Sequence, residues 1–336
     1  MSTSQKLQMQ IEIEPLRLQS PFRISGYTFT EVPVAVVTLR SGEARGRGEA
    51  SGVYYLNDTP EQMVRTLEAK RDVIERGIDR EQLRSLLPIG GARNALDCAL
   101  WELEAQLTGK PVRTLAGVDP VSPKVTTFTL SADAPDVVGR AAQALTRARA
   151  LKLKLDGDVV ADKERVRAVR AVRPDAWIGV DANQGYTIDS LRAVMPTFVE
   201  ARVQLVEQPL KRGREADLEG FHSSIPLAAD ESVLGVADIA GLLNRFQVVN
   251  IKLDKCGGLT EALMMAHEAR RVGLKVMVGN MMGTSLAMAP AFIVAQLCDY
   301  VDLDGPTFLA SDRDPAITYQ DGSVDCSDNV WGGVKA

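Results

Sequence analysis

From Lys154 onward the chain repeats one pattern, a short apolar run closed by a polar residue, with end-points at 154, 181, 207, 230, 252, 279 and 304. The steps between them are 27, 26, 23, 22, 27 and 25 residues, the length of one strand, one helix and two short loops. The runs are "LKLKL" (151–155), "WIGVD", "VQLVE", "PLAAD", "VVNIK", "KVMVG" and "YVDLD", preceded by "VTTFTL" at 125–130. Intervening stretches such as "DKERVRAVRAVRP" and "LTEALMMAHEARRVG" are helix-like. Eight such units predict an α/β fold, a (β/α)8 barrel whose functional groups gather at the C-terminal ends of the strands. An open doubly wound sheet is the alternative, but no GxGxxG follows the first strand.

Ahead of the repeat the pattern changes. Residues 6–18 and 32–50 read as antiparallel strands, with a hairpin after "VPVAVVTL". Residues 60–77 and 92–108 read as helices. In the second, Ala92, Ala95, Leu96, Ala99, Leu100, Leu103 and Leu107 form an apolar stripe ended by Gly109. "GVDPVSPK" (117–124) marks a boundary.

The bulk numbers exclude several classes of function. Among 336 residues, 45% are hydrophobic and 25% charged, which is globular composition. The net charge of −5 comes without a basic stripe, which argues against nucleic acid as a partner. No apolar run approaches the roughly 18 residues of a membrane span, and "MSTSQKLQMQIEIE" lacks a signal-peptide core, so a cytoplasmic location is expected. The four cysteines (98, 256, 298 and 326) form no CxxC pair. His222 and His267 are the only histidines, which excludes a histidine-rich metal site and disfavours a serine–histidine triad. The chemistry falls to carboxylates, lysines or hydroxyls.

Asp181, Glu207 and Asp230 end predicted strands three, four and five. Any one of them alone reads as a helix cap. Three at one level of a barrel would repel each other unless a cation neutralised them, and an all-oxygen set selects Mg²⁺, or Mn²⁺, over zinc. Lys154 ends strand two and Lys252 ends strand six, so a closed ring of eight places them on opposite sides of the acids. Taken alone, "KLKL" also fits an exposed edge strand. In the interior, Lys154 can act as a base: desolvation, the ammonium of Lys152 and a nearby divalent cation would all push its pKa from about 10.4 toward roughly 7–8. A cation beside a carboxylate stabilises the enediolate formed when the neighbouring proton is removed. Two bases on opposite faces then give racemisation or epimerisation. Asp302 and Asp304 share a face of strand eight, away from the metal and with no lysine close in sequence. They suggest a seat for an α-ammonium group, with a dipeptide as the simplest substrate; solvated helix-cap charges are the alternative.

These residues resemble the enolase superfamily. "KLKL", "VDANQGY", "LVEQPL", "ADES", "NIKLDKCGGLTEA" and "VDLDGPTFL" look like the dipeptide epimerases of its muconate-lactonising-enzyme subgroup, and "GARNALDCALWELEAQLTGKP" (91–111) is similar to that family's helical signature before the barrel. The resemblance implies Lys154 and Lys252 as acid/base catalysts and Lys152 as support for the first and for the substrate carboxylate. It implies Asp181, Glu207 and Asp230 as Mg²⁺ ligands, and Asp302 and Asp304 as the holders of the dipeptide's amino group. It further implies an α+β capping domain over 1–117, a barrel over 124–310 and a tail over 311–336 that returns to the cap, with "DG" in "ITYQDGSVD" as a hairpin turn. Barrels of this kind often form homo-oligomers.

One position departs from the family. In "PFRISGYTFTEV", Phe29 stands where glutamate-specific members carry an arginine. Phenylalanine cannot pair with a side-chain carboxylate as a guanidinium does, and Arg23 is the nearby candidate to replace it. The expectation is epimerisation of L-Ala-Xaa dipeptides with Xaa not primarily Glu but apolar in side chain. The alternatives are strict L-Ala-D/L-Glu epimerisation, another subgroup reaction (muconate cycloisomerisation, o-succinylbenzoate synthesis or N-acylamino-acid racemisation), or a non-catalytic barrel.

Overall fold

A computed structural model describes residues 6–24 and 27–334. The first five residues, and Ser25 and Gly26 of the stretch quoted above, lie outside the described residues. The chain opens with a three-stranded antiparallel sheet, β1 (Gln8–Ile24), β2 (Tyr27–Ser41) and β3 (Ala44–Ala50). Helices α1 (Pro60–Glu68), α2 (Arg71–Glu75), α3 (Arg80–Leu86) and α4 (Gly91–Thr108) follow. The stretch read as one helix over 60–77 is therefore two, interrupted at Ala69 and Lys70. α4 lies almost on the backbone of β3. A Cβ on Gly46 would fall 2.0 Å from the Ala99 carbonyl, and one on Gly48 would fall 2.0 Å from that of Ala95. Glycine is required there by the close approach.

After a short strand β4 (Lys124–Val125) come eight parallel strands: β5 (Thr127–Leu130), β6 (Ala150–Lys154), β7 (Trp177–Asp181), β8 (Leu205–Glu207), β9 (Leu227–Ala229), β10 (Val248–Ile251), β11 (Lys275–Val278) and β12 (Tyr300–Val301). They are ordered around a single sheet from β5 to β12. Side chains bring its two ends together: Thr127 Oγ1 donates to Asp302 (2.5 Å), and the Leu303 N–H donates to Thr126 Oγ1 (2.9 Å). The expected barrel is present. The shorter steps of 23 and 22 residues leave little room for a full helix, and short 3₁₀ segments, Glu215–Leu218 and Val236–Leu242, replace helices there.

β6 pairs with β5 on one side and β7 on the other, so "KLKL" is interior and the edge-strand alternative is excluded. Leu151 and Leu153 are fully buried, while Lys152 and Lys154 find buried ion-pair partners, Asp302 beyond β5 and Asp181 on the adjacent β7. The opposite end of the barrel is filled by Leu205, Ala228, Val248 and Met277 under Trp177 and Tyr300, which leaves the strand C-termini as the open mouth.

The N-terminal unit is pinned to the segment after Lys252. Arg93 of α4 donates to the Cys256 and Gly257 carbonyls (2.5 and 3.2 Å), Asp97 accepts from the Thr260 N–H and hydroxyl, and Asp254 accepts from the Gly52 N–H (2.9 Å). In the tail, β13 (Thr318–Gln320) and β14 (Ser323–Asp325) form a hairpin around Asp321-Gly322 that pairs with β4. Residues 330–333 then reach the N-terminal unit, where the Trp331 indole donates to the Arg47 carbonyl and the Val112 N–H donates to the Gly332 carbonyl.

Candidate active site

Register places the acids. Lys154 lies opposite Asp181 across β6–β7, and Asp181 lies opposite Glu207 across β7–β8. Asp230 follows directly after β9. The three carboxylates are buried, and ligand oxygens from each lie within 4.8 Å of one another. That donor set, all hard oxygen and close enough to share one ion, fits a cation of the Mg²⁺ class. Two further buried oxygens lining the same cavity, Glu231 Oε2 and Asn183 Oδ1, have no protein hydrogen-bond partner. Orphaned acceptors in a buried cavity point to a polar or hydrated guest.

β7, β8 and β9 separate β6 from β10, so Lys154 and Lys252 flank the acids from either side. Lys154 Nζ donates to Asp181 Oδ2 (2.6 Å), and Lys252 Nζ donates to Asp230 Oδ2 (2.6 Å). Lys152 Nζ lies 2.7 Å from Asp302, 2.9 Å from Glu207 and 3.4 Å from Asp181. This corrects two expectations. Asp302 has no lysine close in sequence, but it is not free of one in space, because Lys152 reaches it past β5 where the barrel closes. Nor is Lys152 an uncompensated charge crowding Lys154, because three carboxylates surround it.

The electrostatics follow from those pairs. Burial alone would lower Lys252, but Asp230 and Glu207 outweigh it and hold its pKa above the ordinary lysine value. Lys152 is likewise raised: burial opposes, and Asp302, Glu207 and Asp181 prevail. Burial would raise Asp230, yet Lys252 and Lys255 hold it well below the usual carboxylate range. Burial, with Asp181 adding to it, pushes Glu207 up to about 7. Asp304 is also pushed up to about 7, by burial and by the neighbouring Asp302; its Oδ2 accepts from the Thr129 N–H at 2.6 Å.

Sequence reasoning missed several residues that hold this constellation. Lys255 Nζ donates to Asp230 Oδ1, to the Asp230 carbonyl and to the Asn250 carbonyl. Asn250 Nδ2 donates to Glu207 Oε1 (2.8 Å), and the Asn183 N–H donates to Asp181 Oδ1 (2.9 Å). Lys255 had a signal, since it stands three residues after Lys252 in "KLDK". The N-terminal unit roofs the mouth with Tyr54 and Tyr55, whose rings meet edge to face at 5.2 Å. Phe29 packs 5.5 Å from Tyr54 and is half-buried in the cavity wall. Arg23 pairs instead with Asp133 at the surface (3.0 Å), and no arginine lines the cavity among the described residues. Arg23 does not replace the missing guanidinium.

A capped (β/α)8 barrel with three carboxylates for one cation, set between two lysines, defines a class of acid/base enzymes working beside a metal-held oxyanion. Residues 136–330 match the family described as enolase C-terminal domain-like, and residues 7–117 match the mandelate racemase/muconate lactonizing enzyme N-terminal domain. The chain belongs to the mandelate racemase/muconate lactonizing enzyme family of the enolase superfamily. It is 37% identical over 309 residues to the L-Ala-D/L-Glu epimerase of Escherichia coli, covering 91% of this chain and 96% of that one. An enolase family member from Agrobacterium tumefaciens with homology to dipeptide epimerases, solved with sodium and L-Ala-L-Glu, is 39% identical with a TM-score of 0.94, covering 97% and 100% of the two chains. A dipeptide epimerase from Methylococcus capsulatus, solved with Mg and L-Arg-D-Lys, is 31% identical with a TM-score of 0.89, covering 96% and 97%. No helix among the described residues is long and apolar enough to cross a membrane.

Proposed function

We propose that this protein is a dipeptide epimerase that inverts the α-carbon of the C-terminal residue of its substrate. The observation that carries this reading is the pair of lysines on either side of one carboxylate cluster, Lys154 on Asp181 and Lys252 on Asp230. Asp181, Glu207 and Asp230 would hold Mg²⁺. When bound there, the cation supplies Lewis-acid stabilisation of negative charge building on the substrate carboxylate. One lysine, neutral, takes the α-proton onto Nζ; the other, as ammonium, returns a proton to the opposite face of the same carbon. Either enantiomer is a substrate, with the two roles exchanged. Lys152 stays cationic among its carboxylates, and its charge favours the negative charge that builds on the substrate carboxylate.

At the far end Asp304 receives the dipeptide's ammonium group. Among the described residues no lysine pairs with its carboxyl, whereas Asp302 is shared with Lys152 and Thr127. Muconate, succinylbenzoate and N-acyl substrates carry no such ammonium, so this acid favours dipeptides over the other reactions of the family. Phe29 and the absence of a lining arginine favour a C-terminal side chain that is not acidic, over the strict glutamate specificity suggested by the E. coli relative. We place the 1–117 cap, the 124–310 barrel and the returning tail as the working units. The four free cysteines support a reducing cytoplasmic setting.

The test is a panel of L-Ala-L-Xaa dipeptides incubated with enzyme and Mg²⁺ in D₂O and read by mass spectrometry. One deuteron should enter the C-terminal residue, with Leu and Phe ahead of Glu. EDTA should abolish the exchange and Mg²⁺ restore it. Exchange that persists at full rate in EDTA would rule out the cation site, and L-Ala-L-Glu leading by orders of magnitude would rule out the apolar preference.

A further inference from the structure

Resting on the dipeptide reading, we propose that the cavity also selects the first residue of the dipeptide, taking an apolar side chain larger than the alanine methyl between Met281, Met282, Phe308 and Phe22. The cavity encloses about 290 Å³ and has two chemically distinct ends. Lys252, Asp230 and Glu231 mark one end, beneath Tyr54, whose hydroxyl feels the charges of all three. The C-terminal residue belongs there, with Phe29 and the tyrosines around its side chain. Asp302 and Asp304 mark the other end, and a substrate bound by its ammonium at Asp304 places its first side chain on that side.

Beside Asp304 the cavity wall carries large apolar side chains. The 3₁₀ turn Gly305–Phe308 starts at the next residue and carries Phe308 into the wall, where its ring meets that of Phe22 at 4.8 Å. The loop bearing Met281 and Met282 is tied to the same place, because Asn280 Nδ2 donates to the Asp302 carbonyl at 2.6 Å. A Cβ on Gly305 would sit 2.5 Å from Asn280 Oδ1, so the turn and the loop touch directly. Met281 and Met282 are half-buried and line the cavity beside this contact.

An alanine methyl would leave much of this surface uncovered, whereas leucine or methionine would bury it. Methionine side chains adapt their shape to such a guest. An acidic first residue would meet Asp302 and Asp304 and be repelled. The site therefore reads as selective for apolar residues at the first position, independently of its choice at the second.

The experiment compares kcat/KM for deuterium exchange across L-Ala-L-Leu, L-Met-L-Leu, L-Leu-L-Leu, L-Phe-L-Leu and L-Asp-L-Leu with unmodified enzyme. The methionine and leucine substrates should exceed the alanine one by about 10-fold, chiefly through KM, and the aspartate one should be poorest. Met282→Ser and Phe308→Ala should each cut L-Leu-L-Leu about 10-fold more than L-Ala-L-Leu. Exchange of L-Ala-L-Leu with no gain, or a loss, for L-Leu-L-Leu overturns the first-residue assignment and leaves the epimerase reading standing. No exchange with any dipeptide overturns both.

Discussion

Lys255 Nζ lies 2.5 Å from Asp230 Oδ1, and both side chains are 1% exposed. The other oxygen of that carboxylate meets Lys252. One buried acid is thus held from behind by a lysine that does not line the cavity and from in front by one that does. The rear lysine spends its donors on Asp230 and on the Asn250 carbonyl, so it anchors the carboxylate and leaves Lys252 available to the substrate.

Removing that anchor leaves a buried carboxylate short of a partner and takes one donor from each of the Asp230 and Asn250 carbonyls. Lys255→Met conserves volume and removes the charge. We expect it to lower the unfolding free energy by about 3 kcal/mol or more, measured by urea denaturation at neutral pH. Asp230 titrates below its unfolded value, so its contribution is present above about pH 4 and fades as pH falls toward the folded pKa. The deficit of the variant should therefore shrink in acid. A variant as stable as the parent at neutral pH would show that the anchor is dispensable.

The two lysines of the cavity should fail in opposite ways. Lys252→Ala should block epimerisation, while one enantiomer still exchanges its α-proton through Lys154; Lys154→Ala should give the mirror result. Each loss should be at least about 100-fold in kcat for inversion. Proton NMR in D₂O, started from each enantiomer separately, reads both. If either single variant abolished exchange of both enantiomers, the assignment of one lysine to each face would not stand.

Much of this constellation was legible in the sequence because barrel strands convert spacing into position. The end-points at 154, 181, 207, 230 and 252 gave the order of the lysines and acids, and the register agrees. Contacts made where the first and last strands close the barrel were not legible. Lys152 and Asp302 stand 150 residues apart, and nothing local in either stretch announces the pair. Periodicity shows which face a lysine takes but not which carboxylates it meets, so the three partners of Lys152 were not legible either. The hairpin of β1 and β2 runs farther than its alternation suggested, to Ile24 and back from Tyr27, and so carries Phe29 into the cavity wall.

Asp254, two residues after Lys252, predicts a pH dependence of stability. It is buried, accepts from the Gly52 N–H beside the tyrosine roof, and is pushed up to about 7 by burial. Its folded pKa exceeds the unfolded value of about 3.9, so the folded state holds its proton more tightly. That contribution is complete below about pH 4 and is lost as pH rises through about 7, up to roughly 4 kcal/mol in all. Asp254→Asn removes the titration and keeps an acceptor for Gly52. Between about pH 5 and about pH 8 the urea midpoint of the parent should fall more than that of the variant. Parallel pH profiles would mean that Asp254 titrates normally.

Phe29 offers a gain-of-function test of specificity. Its ring lines the cavity 5.5 Å from Tyr54, and no guanidinium lines that wall among the described residues. Phe29→Arg places a planar, permanently charged fork where a glutamate side chain of the second residue would reach, and a carboxylate there can be met by two parallel hydrogen bonds. The same change takes apolar surface away from a leucine side chain. Both effects move the ratio of kcat/KM for L-Ala-L-Glu over L-Ala-L-Leu in the same direction, by about 100-fold together, or about 2.7 kcal/mol. Tyr54 can stack on the guanidinium face without blocking its edge. Competition kinetics on a mixture of the two dipeptides measures that ratio directly. An unchanged ratio in a folded, active variant would show that the second side chain does not lie against Phe29.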